Sequence, residues 1–178
     1  MKENKIKVIA IAAVTAGGKT TIVNELKKKL PRAKSLHFDD YDFEGAVEDY
    51  YKWTIDGADY SVWNLEPLKK DIVDIINDDN CDYLLLDYPF AYCHKDIREY
   101  IDCAIFIDTP LDIAMARRVL RDMKDATANE IREEMKMYIQ YARVAYVQML
   151  KDIRPSSDYV IDGTKDLEEQ VEEILEYI

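Results

Sequence analysis

Ala13-Val14-Thr15-Ala16-Gly17-Gly18-Lys19-Thr20 lies between two stretches of opposite periodicity. Before it, Ile6 to Ala12 is apolar apart from Lys7, the pattern of a strand buried on both faces. After it, Ile22, Val23, Leu26 and Leu30 recur at helical spacing, and Pro31 stops the pattern. Strand, glycine loop and helix in that order are the context of a phosphate-binding loop. Gly17 and Gly18 let the backbone N–H groups point inward at phosphate oxygens, at the positive end of the helix. Lys19 supplies a mobile ammonium for the β- and γ-phosphates, and Thr20 a hydroxyl for Mg²⁺. Candidate nucleotide contacts therefore run through Ala13, Val14, Thr15, Ala16, Gly17, Gly18, Lys19, Thr20 and Thr21. The first position of the motif carries alanine where glycine is usual, which requires Ala13 to keep a negative φ.

The strand reading extends outward from this loop. Ser35–Phe38, Tyr83–Leu86, Cys103–Ile107 and Tyr159–Ile161 are further short apolar runs. With the first they make five strands, separated by helical patterns and hence parallel. Thr109-Pro110-Leu111-Asp112 has the composition of a helix start, with Thr109 as cap, Pro110 at the first helical position and Asp112 in the first turn. Thr127 and Glu130 have the spacing of a capping box. They open a long helix with Ile131, Met135, Tyr138, Ala142, Ala145 and Met149 on one face, expected to pack into the core. A last helix carries Leu167, Val171, Ile174 and Ile178. The fold class expected is α/β: a three-layer P-loop NTPase fold with a five-stranded parallel sheet, one domain over residues 1–178.

Composition narrows the partners. The 178 residues carry a net charge of −12, which opposes a broad nucleic-acid or anionic-membrane surface. No segment approaches the roughly 18 apolar residues of a membrane span. The N-terminal apolar run leads into a phosphate loop instead of a small-residue cleavage site, so a signal peptide is not expected. Cys81, Cys93 and Cys103 lack metal-ligand spacing and read as reduced thiols of a cytoplasmic protein. The sequence leaves the oligomeric state open.

Three further clusters carry chemistry. His37-Phe38-Asp39-Asp40-Tyr41 follows the second strand, and ligands of open α/β sheets sit beyond the carboxyl ends of strands. Asp39 there can accept a proton from an attacking hydroxyl. Leu84-Leu85-Leu86-Asp87 is an apolar strand ending in a carboxylate, which suits Asp87 to Mg²⁺, directly or through water. Arg117 and Arg121 share a helix face on which guanidinium groups could neutralise a transferring phosphoryl group, with Arg118 pointing elsewhere. Between Asp39 and Asp59 stand eight carboxylates against Lys52 alone, interleaved with Tyr41, Phe43, Tyr50, Tyr51 and Trp53. Such a lining suits a neutral or cationic acceptor with hydroxyls and a flat ring. His37 and His94 receive no role.

The chain resembles the uridine–cytidine kinases and their relatives the nicotinamide riboside kinases. The similarity rests on Val14–Thr21, Phe38-Asp39-Asp40-Tyr41, Asp87–Tyr92, Ile107-Asp108-Thr109, Arg117–Asp122 and Tyr159–Thr164, and spans nearly the whole chain. The resemblance implies a small-molecule partner: ATP- and Mg²⁺-dependent phosphorylation of a nucleoside hydroxyl, uridine or cytidine first, with Asp39 as base and Lys19, Arg117 and Arg121 as catalytic groups. It implies an acceptor segment at about 39–65, a lid at about 117–130, and acceptor contacts from Asp39, Asp40, Tyr41, Phe90 and Tyr92. Thr20 and Asp87 would serve the metal. The alternatives are a kinase for another small alcohol, nicotinamide riboside foremost, and a nucleotide switch without an acceptor. Three positions depart from the pattern: Ala13 for glycine, Asp87 for glutamate, and Met123-Lys124-Asp125-Ala126 where uridine kinases carry arginine-glycine-arginine.

Overall fold

The computed structural model describes residues 6–45, 47–78 and 80–178. Five strands form one parallel sheet: β1 (Lys7–Ala12), β2 (Ala33–His37), β3 (Tyr83–Asp87), β4 (Cys103–Asp108) and β5 (Tyr159–Asp162), in the order β2-β3-β1-β4-β5. The α/β expectation holds. Alternate residues of β1 feed two cores. Val8, Ala10 and Ala12 pack with Leu84, Leu86 and Phe106 under helices α3 (Glu66–Asp78) and α6 (Arg143–Ser156). Ile9 and Ile11 pack with Leu85, Ile105 and Ile161 under α1 (Lys19–Lys29) and α7 (Leu167–Leu175). Both faces are covered, which is why the central strands are apolar without alternation.

The second strand starts two residues earlier than expected and ends at His37, because Phe38–Asp40 coil into a 3₁₀ turn. Asp39 thus sits on a tight turn. A short helix α2 (Tyr50–Ile55) follows, capped by the Asp49 carboxylate on the Lys52 amide at 2.9 Å.

Thr109 is not the cap of α4 (Leu111–Asp122). Pro110 is extended and stands outside the helix, and the buried Thr109 hydroxyl donates to the Gly17 carbonyl at 2.8 Å. The tertiary bond outcompetes the local one. The capping box is present: Thr127 and Glu130 exchange bonds at the start of α5 (Ala128–Met137). From there the helix runs on, but Tyr138–Ala142 form one π turn before α6.

The three thiols are unpaired, and burial pushes each of them up. His94 is fully buried. Its Nδ1 accepts the Asp96 amide at 3.2 Å, so Nε2 carries the proton toward the Trp63 carbonyl at 3.0 Å. That histidine is a structural tie. Among the described residues no helix is long and apolar enough to cross a membrane.

Candidate active site

The phosphate loop is shaped by crowding. Gly18 holds φ at +106°, a conformation open to glycine, and opens α1. A Cβ on Gly17 would come within 2.7 Å of the Ala13 Cβ and 2.8 Å of the Val14 carbonyl. Ala13 is not among the residues with positive φ, so the alanine is accommodated, and the space it takes makes Gly17 obligatory. Ala16 holds φ at +58°. For a residue with a Cβ this conformation costs about 1–2 kcal/mol, a local strain of the kind found where a loop is shaped for a ligand.

A cavity of about 1320 Å³ opens over the carboxyl ends of the strands. The loop from Thr15 to Thr21 forms its floor, with Ala13 behind. Thr164, Lys165 and Asp166 from the turn after β5, with Leu167 and Gln170 of α7, also line it. So do Phe38 and Asp39 after β2, and Pro89 and Phe90 after β3. The far wall comes from α2 and from the helix through the π turn: Tyr50, Tyr51 and Trp53 face Tyr138, Tyr141 and Tyr146. Met137, Ala142, Ala145 and Met149 also line it. Tyr138, Ala142, Ala145 and Met149, expected to serve only as core, thus border the cavity.

Both signs of charge line it. Lys19, Arg117, Arg118 and Arg121 share the lining with Asp39, Glu48, Asp49 and Glu134. Burial pushes the Lys19 ammonium down, against Asp87 and Asp39, which favour its charge. Asp39 also adds to the burial-driven rise of the Tyr50 phenol and helps hold the charge of Arg121. Lys19, Asp39, Tyr50 and Arg121 therefore share one electrostatic environment. Arg121 is gripped by its neighbour Asp122, Nε to Oδ1 at 2.6 Å. Arg118 reaches Glu134 on α5 at 2.8 Å. Arg117 has no carboxylate partner among the described residues.

Asp87 lies beneath the loop. Its Oδ2 accepts the Thr20 hydroxyl at 2.5 Å and lies 3.2 Å from His37 Nδ1. Hydroxyl and carboxylate are hard oxygen donors that fit Mg²⁺. No group of three or more His, Cys, Asp or Glu among the described residues is arranged to hold a metal unaided, so a metal here would share its ligands with nucleotide phosphates and water.

Several sequence-derived candidates lie elsewhere. Tyr41 donates to Asp71 of α3 at 2.7 Å and stacks on Phe43. Tyr92 donates to Asp158 at 2.6 Å, tying the loop after β3 to the start of β5. Neither borders the cavity, and Asp40 is exposed away from it. Val14 is buried behind the loop, its carbonyl accepting the Gly17 amide at 2.9 Å. Arg118, expected to point elsewhere, does line the cavity.

A glycine loop, a helix N-terminus, a carboxylate-ended neighbouring strand and arginines in the cavity lining define a P-loop kinase. The chain belongs to the phosphoribulokinase / uridine kinase family, whose model matches residues 75–167. A uridine kinase of Borrelia hermsii (strain HS1 / DAH) is 25% identical, covering 88% of this chain and 86% of that protein. A uridine kinase of Staphylococcus carnosus (strain TM300) is 24% identical, covering 89% and 88%. Among solved structures, a possible uridine kinase from Bacillus stearothermophilus superposes with a TM-score of 0.53 at 17% identity, covering 91% of each chain. A shikimate kinase from Bacteroides thetaiotaomicron gives 0.58 at 15% identity, covering 96% of this chain and 97% of that one. These structures share the fold. The chain is a nucleotide-binding phosphotransferase of the kinase type.

Proposed function

We propose that the cavity binds ATP with Mg²⁺ beside a nucleoside and transfers the γ-phosphoryl group to a nucleoside hydroxyl, with uridine or cytidine as the first acceptors to test. The observation that carries this reading is Asp39: a carboxylate lining the cavity beside Lys19 and Arg121 that accepts no hydrogen bond among the described residues. A base must have free lone pairs to take a proton. Size supports an acceptor as well. Pockets for one small ligand measure about 300–1,000 Å³, and this cavity is larger. A nucleotide switch would have no use for the aromatic half.

In this reading ATP lies along residues 13–21 with its base toward Thr164–Leu167. Lys19 contacts the β- and γ-phosphates. Arg117 and Arg121 neutralise the equatorial oxygens as charge spreads over them. Thr20 and Asp87 would hold Mg²⁺, which supplies charge neutralisation at the phosphates when bound. The acceptor hydroxyl gives its proton to Asp39 as its oxygen bonds to the γ-phosphorus. The bond from that phosphorus to the bridging oxygen breaks and ADP leaves. Acceptor contacts come from Asp39 and Phe90. The segment at about 39–65 forms the acceptor wall and residues at about 117–130 the lid.

A second reading, a cationic acceptor such as nicotinamide riboside, is favoured by Glu48 and Asp49 beside Tyr50 and Tyr51 in the cavity lining. One experiment separates these readings. ADP release is measured with uridine, cytidine, nicotinamide riboside and no acceptor, for the parent protein and for Asp39→Asn. A base contributes about 10²- to 10⁴-fold, so acceptor-dependent release should fall by that range in the variant while ATP affinity holds. No stimulation of the parent by any alcohol in the panel overturns the kinase–acceptor reading.

A further inference from the structure

Lys27, Ser35, His37, Asp87 and Thr20 form one hydrogen-bonded chain from the outer face of α1 to the phosphate loop. Strand pairing creates it. His37 and Asp87 are register partners at the ends of β2 and β3, so their side chains emerge together on one face. Ser35, two residues back, shares that face by the period of a strand. The separations are 3.1 Å from Lys27 Nζ to Ser35 Oγ, 3.2 Å from Ser35 Oγ to His37 Nε2, 3.2 Å from His37 Nδ1 to Asp87 Oδ2, and 2.5 Å from that oxygen to Thr20 Oγ1.

Donor inventory gives the chain a direction. An ammonium only donates and an ionised carboxylate only accepts. In the neutral ring, His37 Nδ1 therefore carries the proton facing Asp87, and Nε2 accepts the Ser35 hydroxyl, which in turn accepts from Lys27. Thr20 also gives its proton to Asp87, leaving its oxygen lone pairs for a cation. Two donors meet on Oδ2, and neither engages Oδ1. The Asp87 side chain is only 6% exposed and His37 22%, so the carboxylate that receives both bonds is largely shielded from water.

We propose that His37, held by Ser35, is a positioning residue for Mg²⁺: it fixes the Asp87 carboxylate so that Thr20 and Asp87 present oxygen to the cation that accompanies the nucleotide. This rests on the assignment of Thr20 and Asp87 to the metal. Partners that orient a ligating group typically change metal affinity by about 10- to 100-fold when removed. The role does not require that the acceptor be known, since it concerns nucleotide binding alone.

The test measures binding of a non-hydrolysable ATP analogue by calorimetry at a series of Mg²⁺ concentrations, and again in EDTA. His37→Leu removes both ring nitrogens. It should raise the Mg²⁺ needed for half-maximal enhancement by about 10-fold or more, with the affinity in EDTA unchanged. His37→Asn can return an N–H near the Nδ1 position and should recover most of the loss. Ser35→Ala leaves the ring in place but unrestrained and should give a smaller shift in the same direction, which decides the matter should His37→Leu fail to fold. An unchanged Mg²⁺ dependence in His37→Leu or Ser35→Ala overturns the positioning role. So does an equal loss with and without Mg²⁺, which would mark general damage to the loop. A parent protein whose nucleotide affinity ignores Mg²⁺ overturns the metal assignment itself and the role of His37 with it.

Discussion

Replacing Thr109 by valine tests how the phosphate loop is held. Thr109 is 1% exposed, and its hydroxyl is the donor that reaches the Gly17 carbonyl, at 2.8 Å. Valine has nearly the same shape, so no cavity opens and the packing contribution cancels. What remains is a buried carbonyl without its donor, which costs about 1–3 kcal/mol. For a chain of this size each kcal/mol moves Tm by about 2–4 °C, so the variant should melt roughly 2–12 °C lower. A second effect is specific to this loop. The bond turns the Gly17 carbonyl outward, leaving the amides of the turn to face a ligand. Once freed, that carbonyl can rotate toward the phosphates and repel them. A loss of about 1.4 kcal/mol is tenfold in affinity, and a fall of at least that size is expected for a non-hydrolysable ATP analogue. Thermal melts with and without the analogue, plus calorimetric titration, read both effects. Thr109→Ser retains the hydroxyl and should stay near the parent in affinity. A valine variant with parental Tm and affinity would refute the reasoning. A serine variant as impaired as valine would refute it too, because keeping the hydroxyl would then not preserve the loop.

Two other perturbations separate binding from chemistry. Lys19→Met should abolish ATP-analogue binding while the nucleotide-free protein melts no lower than the parent. Burial lowers the Lys19 pKa, so at this group the unfolded chain binds more protons between that lowered value and 10.5, and the Lys19 contribution to stability rises with pH through this window, against the thiols and phenols that burial raises; melts across it should show the parent gaining stability relative to the variant as pH rises, and a constant difference would remove the attribution to Lys19. Arg117→Ala should lower kcat by about 10²-fold with little change in ATP affinity or Tm, since Arg117 has no carboxylate to lose among the described residues; loss of stability with normal kcat would assign it to structure.

The sheet was legible from sequence because its evidence is local. Each central strand is a short apolar run, and Gly17-Gly18-Lys19-Thr20 marks where the first one turns. Side-chain direction was not legible wherever a tertiary partner decided it. Thr109 stands at a helix start and has the chemistry of a cap, yet its hydroxyl goes to Gly17, because a buried carbonyl is dearer to leave unpaired than an exposed helix end. Tyr41 and Tyr92 stand within two to five residues of Asp39 and Asp87, but Asp71 and Asp158, both distant in sequence, turn their phenols away. Periodicity also cannot distinguish a face packed on a core from one facing a void. Tyr138, Ala142 and Met149 have the spacing of core positions, and the π turn at Tyr138–Ala142 lays them along a cavity wall. His37 is the sharpest case. A lone histidine at the end of a strand carries no signal of its own, and only the pairing of β2 with β3 puts it opposite Asp87. Register is a property of two strands at once, so the residue that organises the loop from beneath comes into view only when both are placed.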